Sequence, residues 1–79
     1  MKRSTPMERN IVAKVKYYRE KQGLTQEALA AQLQTRGCDI TRTMVAQIET
    51  GYRTVSIYEI DKLTEVLKTD YNALFSQEA

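Results

Sequence analysis

The sequence predicts an all-α fold, a compact arrangement of five short helices, from three observations. Apolar residues recur at spacings of three and four along the chain, the period of a helix with one buried stripe. Thr25, Thr41, Ser56 and Asp70 each stand just before such a stretch, where a side-chain oxygen can accept from an orphan amide of a first helical turn. Punctuation is sparse, with three glycines and one proline in 79 residues, and no repeat or low-complexity segment interrupts the pattern.

Each helix has its own signals. The first is predicted to begin near Ser4, Thr5 and Pro6, with Pro6 in the first turn where a missing N–H costs nothing. Its stripe is Ile11, Val15 and Tyr18, with Val12 beside it, and Gly23 supplies a left-handed stop. The second opens at Thr25, with Leu24 and Leu29 at the positions where apolar residues clasp across a helix start. Leu29, Ala30 and Leu33 form its inner face, and the small Ala30 allows close approach of the next helix. The third opens at Thr41, clasped by Ile40 and Val45, turns Val45 and Ile48 inward, and ends at Gly51. The fourth carries Ser56-x-x-Glu59, a reciprocal capping box, with Val55 and Ile60 as its clasp. Ile60, Leu63, Val66 and Leu67 are its inner face. Asp70 is expected to cap a last short helix whose Tyr71, Leu74 and Phe75 pack back on the rest.

Length and composition narrow the possible roles. Seventy-nine residues make one domain, expected to span 1–79 with a core over about 7–75. A chain of this size buries only about 60% of its unfolded surface, so there is no room for a second unit with its own pocket. No apolar run approaches the roughly 18 residues of a membrane span, and a cytoplasmic protein without a membrane partner is expected. The single Cys38, next to Gly37, cannot form an internal disulfide, and with no histidine a zinc site is excluded. Cys38 is expected to be a small half-buried side chain. No metal or cofactor is implied, and without histidine, a glycine-rich phosphate loop or a nucleophile–base pair an enzyme is not expected. Asp61 and Glu65, four apart on the fourth helix beside Lys62 and Lys68, read as a solvated face. The tyrosines at 17, 18, 52, 58 and 71 are scattered over the chain, which suits packing and rim hydrogen bonds better than a stacking platform.

Charge is uneven. Residues 1–21 carry seven Lys or Arg against Glu8 and Glu20, whereas residues 56–79 carry Lys62 and Lys68 against five carboxylates. One end can face phosphates and the other solvent or a partner. The third helix points the same way. Thr43 and Gln47 are four apart on its open face, with Arg42 beside them at the N-terminal end. Arg can pair bidentately with guanine O6 and N7, and Gln with adenine. A helix that buries one stripe and shows these residues on another suits a major groove.

Several separated elements carry a resemblance. Leu24-Thr25-Gln26-Glu27-x-Leu29-Ala30-x-x-Leu33, then Val45-x-x-Ile48-Glu49-x-Gly51, then Leu63-x-x-Val66-Leu67, closely resemble the phage-repressor and Cro-like helix-turn-helix family, often called XRE. The match runs from about Val15 to Phe75. The resemblance implies a five-helix, lambda-repressor-like domain whose second and third helices form the motif. It implies base contacts from Arg42, Thr43 and Gln47, with Met44 near enough to meet a thymine methyl. It implies phosphate contacts from Gln26, Tyr52 and Arg53, and an ion pair between Arg19 and Glu49. Thr41, besides capping, sits at the positive end of the third helix, which favours a phosphate. The chain departs from the family at Gln34–Ile40, where a longer link replaces a tight turn and places Arg36 on an exposed loop within reach of a phosphate.

The function implied is sequence-specific binding of double-stranded DNA by a bacterial or phage-encoded transcriptional regulator, a repressor, acting as a homodimer on a pseudo-palindromic operator. The alternative is an antitoxin-like or adaptor module that grips another protein with its acidic C-terminal third. Recovery of one partner despite nuclease treatment separates the two.

Overall fold

A computed structural model of the protein describes the backbone of residues 6–75 and the side chains of residues 14–74. Among the described residues there are five helices and no strand: α1 (Pro6–Lys21), α2 (Gln26–Thr35), α3 (Arg42–Glu49), α4 (Ile57–Leu67) and α5 (Tyr71–Phe75). The caps lie where the sequence places them. Thr25 Oγ1 accepts from Ala28 N at 3.0 Å, and Thr41 Oγ1 accepts from Met44 N at 3.2 Å. Ser56 Oγ accepts from Glu59 N at 3.2 Å while Ser56 N donates to Glu59 Oε1 at 3.0 Å, closing the box. Asp70 Oδ1 accepts from Ala73 N at 2.8 Å and starts α5. Gly23, with φ +72°, ends α1 in the left-handed region that the stop requires.

The end of α4 carries no such signal. Lys68 closes that helix at φ 56°, ψ 48°, the left-handed conformation that glycine adopts without steric cost. Lys68→Gly is therefore expected to raise stability by about 0.5–1 kcal/mol, the relief of crowding less the extra chain entropy of glycine. A urea midpoint that stays or falls would contradict the strain assigned to this position.

All five helices converge on one interior. Val15 of α1, Leu29 and Leu33 of α2, Val45 and Ile48 of α3, Leu63 and Leu67 of α4, and Leu74 of α5 are buried together. α3 packs on α1 and α2, and α5 closes on α1 and α4. The apolar side of α3 is thus held from beneath, which fixes the opposite side as its open face. The expected stripe residues Ile11, Val12 and Phe75 have side chains outside the described residues. On the described part of α5, Leu74 is fully buried and Tyr71 is 41% exposed.

The link between α2 and α3 also differs from expectation. Helix α2 runs on through Thr35, and Arg36 is its C-cap. Beyond it, Cys38 and Ile40 both enter the core, at 1% and 0% exposure, so Cys38 is fully rather than half buried. Cys38 N donates to Leu33 O at 2.9 Å, Gln34 Nε2 to Ile40 O at 2.8 Å, and Tyr58 Oη on α4 to Gly37 O at 3.1 Å. Burial pushes the Cys38 thiol up from its ordinary pKa, helped by the nearby Glu59 carboxylate, so it stays protonated and unreactive. Cys38 and Ile40 thus anchor the link to the interior, while Gly37 before them and Asp39 between them stay exposed.

Candidate nucleic-acid interface

The Thr41 cap sets Arg42 at the first position of α3. Because Val45 and Ile48 are buried, Arg42 and Thr43 are turned outward and exposed, and Gln47 follows half-buried on the same side. Among the described residues, the side chains of Arg42, Thr43 and Gln47 have no hydrogen bond or ion pair. Met44 is partly buried and packs against the core, which leaves it a minor share of the open face.

The polar groups around this face are engaged. Glu49, the last residue of α3, accepts from Arg19 Nε at 2.6 Å and from Arg19 Nη2 at 3.1 Å. Arg19 Nη1 donates to Leu24 O at 2.8 Å, so all three guanidinium nitrogens are used. The two side chains are 10% and 4% exposed. The hydrogen bond to Glu49 raises the Arg19 pKa against the opposing effect of burial. Gln26, the first residue of α2, joins the pair: its Nε2 donates to Glu49 Oε1 at 3.0 Å. One carboxylate thereby ties α1, α2 and α3 together.

Beyond α3 the chain turns through Gly51, at φ +81°. Tyr52 N and Arg53 N both donate to Gln47 O, at 2.8 and 3.1 Å. Tyr52 projects from this turn at 84% exposure. Arg53 does not project. Its Nη1 and Nη2 donate to the two oxygens of Glu59, at 3.1 and 2.7 Å, and Nη1 also reaches Thr54 O at 3.3 Å. Arg53, expected at a phosphate, thus has two of its guanidinium nitrogens on a carboxylate of its own chain. Arg36, also expected at a phosphate, has partners within the chain as well. It caps α2 with Nη1 on Gln32 O at 3.1 Å, and its Nε lies 3.5 Å from Glu65 of α4, so it turns toward α4.

The Arg53 guanidinium holds the Glu59 carboxyl below the usual carboxylate range; burial opposes this and the Ser56 N–H assists it. The folded pKa thus lies below the unfolded one. Stability linked to this group is complete above about pH 4.3 and is lost as pH falls through the lower folded value. The urea stability of Arg53→Ala is accordingly expected to lie below that of the parent near pH 6 and to converge on it in more acidic buffer. A gap of constant size would contradict the linkage.

Sequence reading missed the Arg53–Glu59 and Gln26–Glu49 contacts. The first had a usable signal, since a capping-box Glu has a second oxygen to offer. The second depends on how α2 and α3 cross, which no local pattern carries.

The placement of α2, the link and α3 agrees with comparison to known proteins. A family model described as helix-turn-helix matches residues 15–74. No curated protein and no solved structure matches the chain significantly. Among the described residues, no helix is long and apolar enough to cross a membrane. With three quarters of its residues matched and α2 and α3 both inside the matched span, the chain belongs to the Cro/C1-type (XRE) helix-turn-helix family of DNA-binding transcription regulators.

Proposed function

We propose that the protein is a sequence-specific repressor that lays α3 in the major groove of double-stranded DNA. The observation that carries this reading is the contrast on one surface. Arg19, Gln26, Glu49, Arg53 and Glu59 are hydrogen-bonded within the protein, whereas Arg42, Thr43 and Gln47 stand together without partners. Arg42 reads guanine through its two-pronged donor, Gln47 reads adenine, and Thr43 lies between them. Gln26, Thr41 and Tyr52 hold phosphates on either side, which positions the helix without specifying sequence. Arg36 and Arg53 act indirectly, by holding the link and the turn after α3. The protein binds as a homodimer on a pseudo-palindrome with half-sites about 34 Å apart. The half-exposed Tyr71 on α5 is a candidate for the surface between copies.

Selection of bound duplexes from a random pool tests the reading, because it reports binding, motif and symmetry together. A symmetric consensus is expected. Arg42→Ala should then relax preference at one base pair per half-site, a loss of about 1–3 kcal/mol of discrimination, with the fold intact. Retention of the full consensus by both Arg42→Ala and Gln47→Ala would reject the assignment of these residues.

A further inference from the structure

The position of Gln26 points to a role for Glu49 beyond the ion pair. Glu49 is almost enclosed, with its carboxylate held by two donors of Arg19 and one of Gln26. Gln26 begins α2, and Glu49 ends α3, so the contact joins the two ends of the motif across 23 residues of chain. A glutamine side chain at a helix start ordinarily samples several rotamers, each weakly preferred. Here one amide N–H is spent on a carboxylate that is itself immobile, because Arg19 is anchored on Leu24 O. The amide plane of Gln26 is therefore set, and its second N–H, which the carboxylate does not use, keeps a fixed direction.

We infer that Glu49 is a positioning residue for DNA binding: through the Gln26–Glu49 hydrogen bond it fixes the phosphate-binding amide of α2 relative to the base-reading face of α3. This rests on the proposed groove-bound reading of α3. One buried carboxylate thus terminates the reading helix and orients the phosphate donor. The arrangement also avoids adding a net charge at that phosphate, because Arg19 and Glu49 neutralise each other. Gln26 then contributes direction, and its contact is less sensitive to salt than that of an unpaired cation.

Duplexes of the selected operator carrying single methylphosphonate linkages provide the test. With the parent protein, neutralising one phosphate per half-site should weaken binding about tenfold, and Gln26→Ala should abolish that dependence, as expected for one charge-assisted hydrogen bond. Glu49→Gln and Glu49→Asp are then compared at a temperature where far-ultraviolet circular dichroism shows each to be folded. Asp retains the charge for Arg19 but draws its oxygens back from Gln26, so it remains informative even where the Gln variant unfolds. Both folded variants should show the methylphosphonate effect reduced to threefold or less while keeping the same preferred base pairs. An undiminished effect in folded Glu49→Asp would overturn the positioning role and leave the groove-binding reading standing. Failure of the parent to select any duplex would overturn both. A changed base preference in Glu49→Asp would also overturn it, by showing that α3 itself had shifted.

Discussion

Replacing Glu49 by alanine is expected to cost about 3–5 kcal/mol of folding stability, the effect of stranding one member of a buried ion pair. Arg19 would keep its charge, at 10% side-chain exposure, with only Leu24 O and the distant Glu20, 3.9 Å away and solvent-exposed, to compensate it. Gln26 would lose its acceptor as well. A domain of this length has roughly 4–12 kcal/mol of total stability, so the variant should melt tens of degrees lower or fail to fold near 37 °C. The pair itself need not be strongly favourable, because taking two charges out of water offsets much of their attraction. Replacing both, as Arg19→Met with Glu49→Leu, should accordingly recover most of the loss. Denaturant titration of the single and double variants decides the matter. A single-variant cost under about 1 kcal/mol would mean that water reaches the pair freely.

Ile40→Ala should cost about 2–5 kcal/mol, as for a large aliphatic side chain removed from a close-packed interior. On sequence alone Ile40 is a residue of a polar link that clasps the start of α3. In the structure it is fully enclosed, its carbonyl accepts from Gln34 and its amide donates to Cys38 O at 2.9 Å. The hydrogen bonds restrict how far the link can collapse into the space left, which favours the upper part of the range. A loss below about 1 kcal/mol by urea unfolding would show that the link lies loosely over the core.

The helices and their starts were legible because the information is local. A cap, a clasp and a spaced apolar stripe fall within one or two turns, and at Thr25, Thr41 and Ser56 they agree. The left-handed Lys68 was not legible, since a lysine carries no mark of a conformation that the surrounding packing imposes on it. In the interface, the open residues of α3 followed from the helical period once Val45 and Ile48 were assigned inward. The fates of Arg36 and Arg53 did not follow, because sequence reads an arginine as a charge in solvent until the structure supplies its carboxylate. Glu65 and Glu59 are those partners, and both come from α4, outside the α2–α3 pair. Such pairing lowers the number of cations free to displace counterions from DNA, and so limits how steeply binding should fall with salt.

The Gly37–Ile40 stretch of the link governs how the motif moves. Its Cys38 and Ile40 side chains are keyed into the same interior as both flanking helices, and Tyr58 grips its backbone from α4. The two halves of the motif therefore have no slack between them to swing on. Thermal excursions that would open the angle must first extract Cys38 and Ile40, so that hinge bending and global melting become a single event.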